Sequence, residues 1–362
     1  MINPDGGSEQ SENNSESPAQ ATSAISASPP LEPSAFRRWI IPALKVGLAA
    51  GLLYYILATR INDETKLELR RVFFESPASL AAAIGAFTAQ LFLVAQRMRI
   101  LLAAQDVFLN YWTSLRLTYI GAFFDPFMVT SVGGDAVKAV YLARVTPVGR
   151  RLEAISVLLL DRLMGLIGLM TLMLLMTTLY IGPLKADPDV RPYLKWLFGV
   201  PTLLLIGTWM LLSQRMYRIF KPLLARLPLG SSLDRAFVAL QRYRGHRETL
   251  AGAWLISVVV HACSVISGYV LVLSMNANPD FESFLVAWFI SNFIVSFAPA
   301  SGIGFGQWLY DKIFYKIANV QNGWVLATAV QATSILAKLP GFMAWVFSRE
   351  SAPPLQLEER KT

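Results

Sequence analysis

The sequence predicts an all-α protein, a polytopic transmembrane helix bundle of about seven or eight spans. Hydrophobic residues make up 54% of its 362 residues and charged residues only 15%, whereas a soluble domain usually carries about 25% charged residues. The mean hydropathy is +0.46. Apolar runs of about 20 residues, the length that crosses about 30 Å of hydrocarbon, recur along the chain. These observations favour a membrane protein over a soluble enzyme.

The distribution of charge fits the same class. The net charge is +8, but the basic residues flank apolar runs instead of collecting on a soluble domain. This arrangement indicates the positive-inside pattern of membrane proteins and not nucleic-acid binding. One cysteine, Cys263, and two histidines, His246 and His261, are too few for a disulfide framework or for a metal centre built on either residue. We expect no metal and no cofactor.

Composition divides the chain into three regions. Residues 1–35 carry five acids and no Lys or Arg, and they are rich in Ser, Asn, Pro and Ala, which predicts a disordered acidic tail. Residues 36–348 form the membrane domain, and 349–362 form a short C-terminal tail. Arg37 and Arg38 precede the first span and predict a cytoplasmic N-terminus. We expect the inner (cell) membrane of a bacterium.

Seven spans and two shorter segments follow from the apolar runs. The spans are 40–58, 77–96, 154–181, 194–213, 252–275, 281–298 and 324–347, and the shorter, aromatic and interrupted segments are about 112–130 and 303–318. Residues 214–249 hold eight bases against two acids, which predicts a cytoplasmic loop that meets anionic lipid. Charge alone leaves open whether 303–318 crosses the membrane.

The two interrupted segments share a plan. Each has an aromatic run, a proline and then a stretch of small residues. These stretches are Ser131-Val132-Gly133-Gly134-Asp135-Ala136-Val137-Lys138 and Ala298-Pro299-Ala300-Ser301-Gly302-Ile303-Gly304. One such break in each half predicts two re-entrant segments, related as internal repeats, with a binding site at their interface. A helix that starts after a break directs its positive end into the protein and favours an anion. The alternative is a pair of loops at the membrane surface.

The first break supplies the central candidates for binding. Asp135 and Lys138 are three residues apart and share a helix face, so we predict that Lys138 binds a phosphate while Asp135 positions it. Ser131 and the backbone amides of Gly133 and Gly134 would add donors. The alternative is a structural pair that caps a half-helix.

Two charged neighbours, Asp161 and Arg162, lie inside the next apolar span, where ionisable side chains usually mark a functional interior. Their side chains point in different directions on a helix, so each needs a partner from another segment. Arg162 is the better phosphate ligand, because its planar fork holds two oxygens. For Asp161, a structural ion pair competes with contact to a ligand.

Further candidates lie elsewhere in the chain. Three small residues of the second break complete the predicted binding site: Ser301, Gly302 and Gly304. Lys338 lies deep in the last apolar run beside Pro340 and Gly341, where it either faces a cavity or reaches the surface. Arg97 and Arg99 are expected at the cytoplasmic interface, where long basic side chains reach lipid headgroups.

These motifs resemble one known family. The stretch from Gly133 to Arg144, with the Asp161-Arg162 pair that follows, is similar to the lysylphosphatidylglycerol synthase transmembrane-region family of flippase-like integral membrane proteins. The stretch from Ala298 to Gly304 resembles its second signature. The resemblance covers about residues 40–347. Family members typically continue the second signature with an Arg-Glu pair, where this chain has Gly306-Gln307.

The resemblance implies a lipid-handling membrane protein whose partners are membrane lipids, anionic ones in particular. The bifunctional synthases add an aminoacyl-transferring domain, but this chain ends about fifteen residues after its last span, so we expect neither that domain nor enzyme activity. The sequence contains neither a Gly-x-Ser-x-Gly nor a His-Glu-x-x-His motif, either of which would indicate a hydrolase. We therefore expect a flippase-like transporter that moves a phospholipid or polyprenyl-linked lipid between leaflets through a polar groove. The alternative is a non-transporting lipid-binding or scaffold subunit.

Overall fold

The computed structural model describes residues 69–127, 133–188, 190–211, 241–298 and 304–347, with isolated positions between 213 and 238. Within these ranges every regular element is a helix, which confirms the predicted all-α bundle. The acidic tail, the predicted span 40–58, most of the basic loop 214–249 and the C-terminal tail fall outside the described residues.

Ten α-helices follow one another in the described part of the chain. They are α1 (Pro77–Ala103), α2 (Tyr111–Phe124), α3 (Gly133–Val145), α4 (Arg151–Leu179), α5 (Ile181–Ala186), α6 (Leu194–Leu211), α7 (Arg247–Ser274), α8 (Phe281–Val295), α9 (Phe305–Ala318) and α10 (Gly323–Val346). A 3₁₀ turn, Asp125–Phe127, continues α2 towards the first break.

Four helices, α1, α4, α7 and α10, are long and apolar enough to cross a membrane. The shortest of them, α10, has 24 residues and is about 36 Å long, which exceeds the hydrocarbon thickness of about 30 Å. Large apolar side chains such as Leu159, Leu203 and Ile266 stay exposed on the outer helix faces, as expected for surfaces that face lipid. The chain is thus an integral membrane protein.

The helices that lead into the two breaks are half-length and start in the same way. Asn110 accepts a hydrogen bond from the backbone amide of Trp112 at the start of α2, and Asp280 accepts one from Ser283 at the start of α8. Side-chain oxygens in this position satisfy amides that have no partner within the helix. With 14 and 15 residues, α2 and α8 are too short to span the bilayer. The prediction that 281–298 crosses the membrane is therefore wrong, because the helix in this segment ends at Val295.

The apolar core has two main parts. One packs the second half of α4 against α7, α8, α9 and the start of α10, around the stacked rings of Trp288 and Phe284. The other packs the end of α1 against the first half of α4 and the start of α7. There the hydroxyl of Tyr243 donates to the carbonyl of Leu101 at 2.6 Å, and burial raises the pKa of Tyr243.

The order of helices repeats. A long helix, two half-length helices separated by a break, and a second long helix occur as α1–α4 and again as α7–α10. The packing repeats as well: α2 packs on α3 and α10, while α8 packs on α9 and α4. Likewise α10 packs on α1, and α4 packs on α7. The two interrupted segments are therefore related as internal repeats.

The repeats run in opposite directions. Near the end of α1, Arg97 contacts Ser257 in the first half of α7, whereas near the start of α1, the carbonyl of Ala83 accepts from Ser267 in the second half of α7. These equivalent long helices are antiparallel, so the axis that relates them is perpendicular to the helices. This is the inverted-repeat arrangement of many transporters.

The two interrupted segments accordingly enter the bundle from opposite ends. Arg150, just before α4, donates to the carbonyl of Gln105 near the end of α1, at 3.0 Å. At the other end of α4, Lys316 of α9 pairs with Asp187 at 3.6 Å. The charge pattern left open whether segment 303–318 crosses the membrane. This segment contains α9, whose 14 residues measure about 21 Å and are too short to cross the bilayer.

Glycines let α2 approach two neighbouring helices closely. A Cβ on Gly134 of α3 would lie 2.4 Å from the carbonyl oxygen of Gly121 in α2. On the other side of α2, a Cβ on Gly341 of α10 would lie 2.1 Å from the carbonyl oxygen of Tyr119. Neither contact leaves space for a methyl group, so both positions require glycine.

Candidate functional site

Five charged side chains meet at the first break, and we call them the ionic cluster: Asp125, Asp135, Lys138, Arg162 and Lys338. Arg162 Nε donates to Asp135 Oδ2, and Lys138 Nζ lies 3.4 Å from Asp135 Oδ1. Arg162 Nη2 lies 3.7 Å from Asp125 Oδ1, and Lys338 is close enough to interact electrostatically with Asp125. The cluster joins α3, α4, α10 and the turn after α2.

The ionic cluster is open on one side. Only 8% of the Lys138 side chain and 15% of the Asp135 side chain are exposed, but 33% of Arg162 is exposed. Three bases against two acids give it a formal charge of +1 (3 − 2), so it favours an anion. The Asp125 side chain is also 33% exposed, so an approaching ligand meets Arg162 and Asp125 first, with Lys138 behind Arg162.

Local sequence positions these groups. Because Gly134 has no side chain, the start of α3 fits against Gly121 and the carboxylate of Asp125. The stem of Lys138 then crosses Gly121, where a Cβ would lie 2.9 Å from Lys138 Cε. The small residues of the first break thus serve close packing between α2 and α3, which brings the cluster together.

Asp161 does not join the ionic cluster. It accepts from Arg97 Nε at 2.7 Å, and Arg97 Nη1 donates to Ser257 at 2.8 Å. All three side chains are buried. This arrangement links α1, α4 and α7 and supports the structural role considered for Asp161.

The expectation that Arg97 reaches the membrane surface is wrong. Arg97 is only 5% exposed and lies on the inner face of α1 next to Met98 and Leu101. Asp161 and Ser257 offer it partners there, and a buried arginine requires such partners. Arg99, in contrast, is exposed.

The second break has neutral polar groups where the first has charges. Gly304 has a positive φ of 85°, and its amide donates to Gln307 Oε1 at 2.6 Å. Gln307 in turn donates to Gln331 of α10 at 2.9 Å. Asn292 of α8 donates to the hydroxyl of Tyr310 in α9, also at 2.9 Å.

The predicted binding residues fall into three groups. Gly133, Gly134, Asp135, Lys138, Arg162 and Lys338 lie at the ionic cluster, Asp161 and Gly304 lie apart from it, and Ser131, Ser301 and Gly302 fall outside the described residues. Asp125, the remaining member of the ionic cluster, was not among the predicted binding residues. The sequence feature that could have indicated Asp125 is an acid directly before a proline, a few residues ahead of the charged residues of the first break.

The described residues contain no group of three or more His, Cys, Asp or Glu that could hold a metal ion. What they do contain is a helical bundle with an inverted repeat and a polar ionic site at a break in the first repeat. Fold and site together define a class, the integral membrane proteins with a polar interior at the interface of two repeats.

The family follows from comparison with known proteins. The model of the family described as "Lysylphosphatidylglycerol synthase TM region" matches residues 43–336, and the chain belongs to this family. The matched segment includes every member of the ionic cluster except Lys338. The searches of curated proteins and of solved structures find no match. Membership relates the protein to lipid metabolism or transport.

Proposed function

We propose that this protein is a flippase-like transporter that moves a phospholipid or polyprenyl-linked lipid between the two leaflets. The observation that carries the proposal is the ionic cluster, with its formal charge of +1 and its opening at Arg162. Ionisable groups are costly at membrane depth, and they usually mark the path of a substrate or ion. A lipid phosphate is the anion that a membrane offers most abundantly.

The chemistry of the two nearest bases suits a phosphate. Arg162 presents a planar fork that can bind two phosphate oxygens, and Lys138 adds a compact positive charge behind it. Since α3 starts at the first break, its positive end also favours an anion. The headgroup would then lie against the ionic cluster while the acyl chains remain in the bilayer.

An apolar recess beside the second break supports binding of lipid. Its lining residues are Ile294, Phe297, Ala298 and Phe305. Phe297 is 54% exposed, although it is a large apolar side chain. A recess of this composition is suited to an acyl chain and not to a headgroup.

The proposal includes the orientation and the setting of the protein. The N-terminus lies in the cytoplasm, the membrane is the inner (cell) membrane of a bacterium, and anionic membrane lipids are the partners. We assign the protein no chemical step, because movement of a lipid needs a path and not a bond rearrangement. Any driving force would come from a gradient or from a partner protein.

Transbilayer movement of lipid is the direct test. The purified full-length protein is placed in liposomes with a fluorescent phosphatidylglycerol, and dithionite then destroys the fluorescence of the outer leaflet, with and without an ion gradient. We expect the wild-type protein to expose the inner-leaflet pool, and Lys138→Gln and Arg162→Gln to prevent this.

The matched control is Lys195→Gln, which removes an exposed base at the start of α6 that stacks on Trp196, away from the cluster. This variant should move lipid like the wild type. If folded wild-type protein moves no lipid across several headgroups, the transporter proposal fails and the lipid-binding or scaffold alternative replaces it.

A further inference from the structure

We infer that Asp135 is a built-in competitor for the anion site: its carboxylate occupies the place that the phosphate of a ligand takes when it binds. The inference rests on the proposed function in one respect, namely that the ligand is an anion. It adds a specific role for Asp135, which is to weaken binding so that the ligand can leave.

The carboxylate of Asp135 lies between two bases. Its two carboxylate oxygens contact two different bases, Oδ2 with Arg162 and Oδ1 with Lys138. A phosphodiester also presents two unesterified oxygens that share one negative charge. The same pair of bases can therefore bind either group, because arginine and lysine accept carboxylate and phosphate alike.

The two bases differ in how accessible they are to a ligand. Arg162 is the exposed member of the pair, whereas Lys138 is shielded, with Asp135 lying between the two bases. A phosphate that contacts Arg162 alone gains one base and meets the negative charge of Asp135. To reach both bases it must displace the Asp135 carboxylate.

Binding of the ligand breaks a contact between two helices, the bond from Arg162 to Asp135. Lys138 and Asp135 lie on the same helix, α3, so they move together. Arg162 lies on α4, which makes its bond to Asp135 a direct link between α3 and α4. Displacing Asp135 from Arg162 therefore loosens the start of α3 from α4, beside the first break.

Such a competitor serves two needs of a transporter. Without a ligand, it neutralises bases that would otherwise be costly in a low-dielectric interior. With a ligand, it offers a replacement anion for the bases at the moment of release. Conduction and transport both require binding that is strong enough for uptake and weak enough for departure.

The test measures binding and not transport. Soluble short-chain phosphatidylglycerol is titrated into the full-length protein in nanodiscs, and the dissociation constant is measured by calorimetry for wild type, Asp135→Asn and Asp125→Asn. We expect Asp135→Asn to bind about tenfold more tightly, because the competing like charge is removed, and Asp125→Asn to gain less than about threefold.

Asp125→Asn is the matched control, since it removes a carboxylate from the same cluster that contacts Arg162 at 3.7 Å but does not bridge Arg162 and Lys138. Equal gains in the two variants would show a general field effect and overturn the inference, as would a gain in neither. If Asp135→Asn does not fold, the comparison is repeated in a charge-balanced pair. Asp135→Asn/Lys138→Gln should then bind more tightly than Lys138→Gln, and the opposite order would contradict the competitor role.

A second arm separates a lipid from a free phosphate ester. Glycerol 3-phosphate is titrated in the same way. If it binds as well as the short-chain lipid and the wild type moves no lipid in liposomes, the ligand is a free phosphate ester; the role of Asp135 stands and the lipid proposal fails. If the wild type moves lipid but Asp135→Asn binds no more tightly, the transporter proposal stands and the competitor role fails.

Discussion

The two halves of this protein have the same backbone plan but different chemistry. The third residue of α3 is Asp135 and that of α9 is Gln307; three residues further along, the first half has Lys138 and the second has Tyr310. The described contacts beside the first break include ion pairs, whereas those beside the second are hydrogen bonds between neutral groups. The same contrast extends to the long helices. Counted from the helix start, the position of Arg97 in α1 corresponds to Ser267 in α7.

This difference separates what the fold requires from what it does not. Among the described residues of the second half, amides and a phenol connect the helices beside the break. The first half adds charges to this plan, and the proposed binding of an anion would explain them. The comparison can be tested by making matched changes in the two halves.

The largest effect is expected for the buried pair of the first half. Arg97→Met leaves the buried carboxylate of Asp161 without its base, which should reduce the free energy of unfolding by about 3–5 kcal/mol. The second-half counterpart, Ser267→Ala, removes one hydrogen bond and should cost about 1 kcal/mol. Thermal unfolding in detergent measures both. Arg97→Met/Asp161→Leu should recover much of the loss, and a double variant as unstable as Arg97→Met would contradict this account.

The glycines at the second position of α3 and α9 give the next contrast. A Cβ on Gly134 would lie 2.0 Å from Asp125 Oδ1, whereas one on Gly306 would lie 3.5 Å from Val295. Gly134→Ala should therefore destabilise the protein by about 1–3 kcal/mol or more through overpacking. Gly306→Ala should be neutral or stabilise by about 0.5–1 kcal/mol, since alanine favours a helix. Equal melting temperatures for the two variants would show that the breaks are packed alike.

Function should distinguish Lys138 from its counterpart Tyr310. Lys138→Met removes a base from the ionic cluster and should reduce lipid movement at least about tenfold, equivalent to about 1.4 kcal/mol. Tyr310→Phe removes only the hydroxyl that accepts from Asn292, so lipid movement should persist. The dithionite experiment measures both variants, after equal incorporation into liposomes is established. Similar losses would mean that the two halves contribute equally to the path.

The smallest effect is expected at the start of α9. Gln307→Ala removes the acceptor for the Gly304 amide and the link to Gln331, which should cost about 1 kcal/mol of stability. Gln307→Glu keeps the acceptor and should lose less. The check is thermal unfolding of both variants; a loss of more than 3 kcal/mol from either would make this cap as important as the Arg97–Asp161 pair.

Apolar runs in the sequence predicted the long helices well, because a helix that crosses the bilayer needs about 20 apolar residues. The predicted spans 154–181 and 324–347 correspond to α4 and α10 within three residues at each end. The span 77–96 was ended too early, at Arg97. The helix in fact continues to Ala103, since Arg97 turns inward to Asp161 instead of marking the surface.

The site was only partly predictable. The spacing of Asp135 and Lys138 predicted their pairing, because residues three apart on a helix are neighbours. The partner of Arg162 could not be predicted, as Asp135 lies 27 residues earlier and is brought close by the packing of α3 on α4. The network of Gln307 and Gln331 was also missed, since neutral amides in apolar runs give little signal.

The glycine contacts of α2 have a mechanical consequence. On one side α2 touches α3 through Gly121 and Gly134, and on the other it touches α10 through Tyr119 and Gly341, in each case with backbone directly against backbone. At these contacts the two backbones meet without a side chain between them, which leaves little room to absorb a displacement. A shift of α3 would therefore be transmitted through α2 to α10, which also carries Lys338. Although none of its own residues belongs to the ionic cluster, α2 would then couple the movements of α3 and α10.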